Sequence, residues 1–189
     1  MNKMMKKVLV GVMAATMLIG SVTTAYAATG SATVSVEPQK QTEVKAEKTE
    51  TGITPTVNTS KKGTATITEI KKTSKKTVTI GKTVTVDGVD YKVTKIAAGT
   101  FENCTKVKTV SLPSTITTIG SNAFTGASST LKTIKINSAK KVTVEKSAFE
   151  GVSTKKMTIT VSKKMSSKDY KALKKSLKAA GFEGKIKRA

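Results

Sequence analysis

Three phenylalanines limit what this chain can fold into. In VTKIAAGTFENC, Phe101 stands five residues after Ile96; in TITTIGSNAFTG, Phe124 stands five after Ile119; in VTVEKSAFEGV, Phe149 stands five after Val144. They are 23 and then 25 residues apart, in a chain of 189 residues with four phenylalanines altogether. Self-similarity at such a period marks stacked structural repeats. One unit of this length cannot bury its own apolar face, whereas neighbouring units share a continuous one. The aliphatic-to-Phe spacing turns the chain through a corner and sends one large side chain to the centre of each coil.

Each unit then runs into a strand. The repeats span 93–113, 116–136 and 142–161, with strands KVKTVSL (Lys106–Leu112), LKTIKI (Leu131–Ile136) and MTITV (Met157–Val161). Side chains alternate along a strand. Val110 and Leu112, Ile134 and Ile136, and Ile159 and Val161 are therefore expected inside with Ile96, Phe101, Cys104, Ile119, Phe124, Leu131, Val144 and Phe149. The alternate set, Thr109, Ser111, Thr133, Lys135, Thr158 and Thr160, faces out.

Upstream, TATITEI, KTVTIGKTVTV and VDYKVTKI put Val or Ile at every second position, the pattern of half-buried strands. Asp87-Gly88 between Val86 and Val89 suits a tight hairpin turn that needs positive φ. Residues 64–92 are thus expected to form an antiparallel region that starts the solenoid. Downstream, Ser166 or Ser167 can cap a helix with Asp169 in its first turn. Tyr170, Leu173, Leu177 and Ala180 make its apolar stripe, and Gly181 ends it with Phe182 packing back. Residues 162–189 read as a helical lid whose Lys171, Lys174, Lys175 and Lys178 point to water.

The first 27 residues read as a secretory signal peptide: basic MNKMMKK, a 13-residue apolar run VLVGVMAATMLIG, and small residues up to Ala27. A membrane-spanning helix needs about 20 apolar residues, so no transmembrane segment is expected after cleavage. Residues 28–63, rich in Thr, Glu, Lys and Ser, read as a flexible spacer. Without the leader the chain carries 31 basic and 12 acidic residues, a net +19, of which residues 64–189 hold +18 and the tail from Lys155 holds +10. Such a field favours polyanions. All but one of these basic residues are lysine, the exception being Arg188.

The stretches KIAAGTFENCTKVKTVSLP, TITTIGSNAFTGASSTLKTIKI and KVTVEKSAFEGVSTKKMTITV resemble the BspA-like leucine-rich-repeat proteins of bacterial surfaces and secretions. With the lead-in VTVDGVDYKVTKIAAGTF and the closing MTITVSKKMSSKDYKALKKSLKAAGF, the resemblance covers about residues 64–189. It implies a mainly β fold: a short leucine-rich-repeat solenoid of about three repeats, an N-terminal β-hairpin cap and a C-terminal helix. Where ordinary leucine-rich repeats carry Asn or Cys, this chain has Thr115 and Ala139, so an asparagine ladder is not expected. Lys156 replaces the first strand leucine of the third repeat. Cys104 matches the cysteine that often follows the family's Phe, and reads as a small buried apolar residue.

The resemblance implies a binding module for a protein partner or for adhesion, the leader implies an extracellular place, and a monomer is expected. The face Thr109, Ser111, Thr133, Lys135, Thr158 and Thr160 is the candidate binding surface, although it lacks the Tyr, Trp and Arg that dominate tight interfaces. The alternative is charge-driven retention on an anionic wall polymer or glycosaminoglycan. Specific nucleic-acid binding is not expected, for want of stacking aromatics and arginine forks. Catalysis, cofactors and metals are not expected either. The chain has no histidine, and Cys104 is its single cysteine, leaving no base for thiolate activation and no internal disulfide.

Overall fold

The computed structural model describes residues 36–47, 49, 51–127 and 129–189. The expected signal peptide and the first residues of the expected spacer lie outside the described residues.

Strands alternate between two sheets, and this alternation is the solenoid. The first sheet holds β1 (Val44–Lys45), β2 (Pro55–Thr59), β3 (Thr64–Ile70), β6 (Val89–Ile96), β8 (Thr118–Ile119) and β10 (Thr143–Val144) in that order, with β5 (Thr83–Val86) paired to β6. The second holds β4 (Thr77–Thr79), β7 (Thr109–Leu112), β9 (Thr133–Ile136), β11 (Thr158–Val161) and β12 (Lys185–Arg188), all parallel and adjacent in chain order. In the first sheet β3, β6, β8 and β10 are likewise parallel in succession. The helix α1 (Ser167–Ala179) lies beside β10. The coils are therefore β3–β4, β6–β7, β8–β9, β10–β11 and α1–β12. The three expected coils are the middle ones, and the architecture continues for one coil on each side.

A single aromatic column runs through the last four of them. Phe101 stacks on Phe124 with centroids 5.3 Å apart and planes at 14°, and Phe124 on Phe149 at 5.3 Å and 13°. Phe182 continues the column from Phe149 at 5.2 Å with a tilt of 55°. Strands in a sheet are about 4.8 Å apart, so one ring per coil keeps near-contact with the next. All fourteen residues expected inside are buried in one core cluster.

The corner before each ring has a shared geometry. Two residues before the Phe, Gly99, Asn122 and Ser147 have φ of 66°, 51° and 60°. Asn tolerates this left-handed region; Ser does so less readily. Backbone bonds tie each corner to the next: the Phe101 N–H donates to Ala123 O at 3.0 Å, and the Asn122 N–H to Ser147 O at 3.0 Å. Gly120 sits at a close approach of two neighbouring coils. Its N–H donates to Ile96 O at 2.8 Å, and a Cβ there would lie 2.8 Å from Ala98 N.

The spacer reading is corrected for the described residues between 36 and 63. β2 pairs antiparallel with both β1 and β3. Ala46, Ile53, Val57 and Thr59 are buried. The Gln39 N–H donates to the hydroxyl of buried Tyr91 at 2.8 Å. The segment has few apolar residues, but it adds to an existing sheet instead of building a core, and Thr and Val suit a pleated surface.

The hairpin forms as the sequence implies, with β5 and β6 antiparallel around Asp87 (φ 51°) and Gly88 (φ 75°). Residues 64–92 are not antiparallel throughout, because β3 runs parallel to β6. At the C-terminus the cap is Ser166, whose Oγ accepts from the Asp169 N–H at 3.0 Å and donates to Asp169 Oδ2 at 2.9 Å. Leu173 and Leu177 are buried and the four lysines are exposed. The lid is more than a helix. β12 follows it and adds a fifth parallel rung, held by Tyr170, whose hydroxyl donates to Ile186 O at 3.3 Å and whose ring lies 4.5 Å from the Arg188 guanidinium.

Candidate functional site

The five parallel strands align the outward side chains into rows. The register places Thr77, Thr109, Thr133, Thr158 and Lys185 side by side, and two residues on Thr79, Ser111, Lys135, Thr160 and Lys187. Between the rows Val78, Val110, Ile134 and Ile159 point inward at 0 % exposure. All six residues predicted for the face thus share it, and Thr77, Thr79, Lys185 and Lys187 extend it at both ends. Adjacent rungs are about 4.8 Å apart, so the face presents a periodic set of hydroxyls and ammoniums on a backbone fixed by the column beneath. Asn137 braces one end, its Nδ2 donating to Ser111 Oγ at 3.1 Å and to Leu112 O at 2.8 Å.

A second feature escaped the sequence reading. Beyond the C-terminal ends of β4, β7 and β9 lies an open groove of about 980 Å³. Its floor includes Ile80, Ser111, Pro113 and Asn137; its wall includes Thr83 and Thr85 of β5 with Glu47, Thr49 and Thr51. The last three fall in the stretch read as spacer, so only the fold brings them here. Its carboxylates already have partners: Asp90 Oδ1 accepts from Thr85 Oγ1 at 2.7 Å, and Glu47 Oε1 accepts from the Gly88 N–H at 3.3 Å.

Reactive chemistry is weak elsewhere. Cys104 is fully buried and its Sγ–H donates to Ile70 O at 3.8 Å. Burial, and secondarily the negative charge of Glu69, push the thiol up to about 11, far from a thiolate nucleophile. Glu145 accepts from Lys95 Nζ at 3.2 Å and from the Ser121 N–H at 3.2 Å, and these bonds hold its carboxyl below the usual range. Among the described residues no group of three or more His, Cys, Asp or Glu is placed to hold a metal, and no helix is long and apolar enough to cross a membrane.

The repeat geometry and the sequence point the same way. The model of the BspA type leucine rich repeat region matches residues 84–187 in six copies, more than half of the chain. The chain belongs to the BspA-type leucine-rich-repeat family. The match begins in β5 and ends in β12, so it takes in the three central coils and the C-terminal one and leaves β3 and β4 outside. Among solved structures, a leucine rich cell surface protein from Faecalibacterium prausnitzii A2-165 shares 30% identity over 60% of this chain and 26% of its own, with a TM-score of 0.38. The BspA-type chain described here thus spans about a quarter of that protein. Comparison with curated proteins finds no match.

Proposed function

We propose that this protein is an exported, non-enzymatic binding module of the bacterial surface, and that its contact surface is the face of the five-stranded parallel sheet. The observation that carries the reading is the register that brings Thr109, Ser111, Thr133, Lys135, Thr158 and Thr160 onto one rigid face. Solenoids use such extended faces for partners. Family membership supports protein binding or adhesion, and the N-terminal leader pattern supports export. The lack of histidine, the inert Cys104 and the already partnered carboxylates of the groove favour binding over catalysis.

The face has no Trp, Tyr or Arg anchor, so affinity per module is low and retention draws on many weak contacts. The lysine excess favours an anionic cell-surface partner as the second reading. Binding of the labelled full chain to intact bacterial cells tests the face. Replacing Thr133 and Lys135 together with Glu puts two negative charges at its centre on adjacent outward positions. The double variant is expected to bind at least tenfold more weakly with its circular dichroism unchanged. Equal binding removes the face from the account.

A further inference from the structure

The strands of the parallel face carry charge of one sign only. Segments 71–86, 103–144, 151–168 and 184–189, which contain every strand of the parallel face, hold eighteen lysines and Arg188 but no Asp or Glu. Of the acids after residue 63, Glu69 is in β3, Asp87 in the hairpin and Asp90 in β6; Glu102, Glu145 and Glu150 lie in the turns beside Phe101 and Phe149, and Asp169 in the first turn of α1. Glu183, two residues before β12, is paired with Lys155 at 3.8 Å.

Within this one-signed region the lysines form lines. The Lys108 N–H donates to Lys76 O at 2.7 Å and the Lys132 N–H donates to Lys108 O at 2.9 Å. The backbones of these three exposed lysines therefore stack one rung apart, just before β4, β7 and β9. Three residues along, Lys135 and Lys187 stand in the second outward row. A strand advances about 3.3 Å per residue, so the two rows are about 10 Å apart. Lys76, Lys108 and Lys132 span two rung spacings, about 10 Å, before buried Met157 takes the next place, and Lys135 and Lys187 stand two rungs apart on β9 and β12. Thr77, Thr109, Thr133 and Thr158 fill the lane between. Like charges on neighbouring strands oppose folding, and the described ion pairs, Lys95–Glu145 and Lys155–Glu183, involve none of these lysines. Stability gives no reason for the arrangement.

We infer that this lane seats a single phosphodiester-linked polyol chain of the bacterial wall, running across the strands. The inference rests on the proposed binding face and names its partner. Lys76, Lys108 and Lys132 on one side, and Lys135 and Lys187 on the other side farther along, reach phosphate oxygens of a chain lying over the threonine row, and the hydroxyls donate to phosphate or polyol oxygens. Lysine serves phosphate as a point charge from any direction, without the two-oxygen alignment that arginine's fork demands of carboxylate and phosphate alike, which suits a flexible polymer. The one arginine of the described residues is committed, its Nη2 donating to Met165 O at 3.1 Å and its plane lying over Tyr170. No aromatic side chain lies on the face to stack on neutral sugar rings.

The test uses the full chain and purified poly(glycerol phosphate). Lys108→Gln, Lys132→Gln and Lys135→Gln together remove three lane charges; Lys171→Gln, Lys174→Gln and Lys178→Gln remove three from the outer face of α1. The lane variant is expected to lose tenfold or more in affinity, and its salt dependence to flatten by about two in log–log slope, from about 0.7 per phosphate contact on a single chain. The helix variant is expected to stay within about twofold of wild type. Equal losses in both variants, or none in either, overturn the inference, and so does heparin binding as tightly with the same slope. Cells stripped of surface protein by protease separate this inference from the reading beneath it. Retained, lane-dependent binding supports the polymer. Binding that depends on Thr133 and Lys135 but vanishes after protease leaves the face standing and rejects the polymer.

Discussion

Phe124 is the side chain on which the coils depend most, and its truncation can be worked through. It is fully buried, with a ring above and a ring below at 5.3 Å. Phe→Ala in a core costs about 3–5 kcal/mol, through lost transfer energy and a cavity that refills only in part. Two aromatic neighbours add about 0.5–1.5 kcal/mol each beyond area burial, which places Phe124→Ala at the upper end of that range. Refilling is poor here because neighbouring coils are held apart by their strand ladders. With a urea m-value of about 2 kcal/mol/M, the midpoint falls by about 2 M. Phe124→Leu keeps most of the volume and loses the stacking, so it is expected to cost clearly less. Phe182→Ala has one ring neighbour in place of two and is expected to fall below Phe124→Ala. Urea unfolding followed by far-UV circular dichroism gives all three values. A Phe124→Ala loss below about 1 kcal/mol, or one smaller than that of Phe182→Ala, refutes the column as the organising element.

Gly120→Ala is expected to lower stability by about 1–3 kcal/mol, because its Cβ meets the backbone of the preceding coil at Ala98; urea midpoints check it, and a neutral result contradicts the close approach. Cys104 is expected to resist a thiol reagent at pH 8 in the native protein and to react fully in urea, since both its burial and its raised pKa withhold the thiolate. For Glu145 the folded pKa is lowered, so its contribution is complete above the unfolded value of about 4.3 and is lost as pH falls through the folded value. Glu145→Gln is therefore expected to be slightly less stable than wild type at pH 7, by under about 1 kcal/mol for so exposed a pair, with the gap closing in acid. Paired urea titrations at pH 7 and pH 2.5 read both ends.

The central coils were legible because their signal is periodic and local. Phe101, Phe124 and Phe149 announce the repeat, and alternation within each strand sorts Val110 from Ser111 and Ile134 from Lys135. What escaped has no period. The outer coils lack the spacing: β4 has no phenylalanine at the matching place, and in the last coil a helix separates Phe149 from Phe182. β12 hides in KIKR, where only Ile186 is apolar and the pairing with β11 supplies the stability. β2 hides for the same reason, since an added strand needs few large side chains once β3 is present. The face could be listed residue by residue from the strands, but its lines of lysine could not. Lys76, Lys108 and Lys132 become neighbours only through register, and register across coils of unequal length is set by the corners and not by sequence distance.

Lysine footprinting of the full chain on intact bacterial cells probes most directly whether the parallel face makes the contact. Brief acetylation followed by mass spectrometry compares free and cell-bound protein, lysine by lysine. The account predicts that Lys76, Lys108, Lys132, Lys135 and Lys187 are shielded on binding while Lys171, Lys174 and Lys178 of α1 react as before. Shielding of the helix lysines with an unprotected sheet face contradicts it.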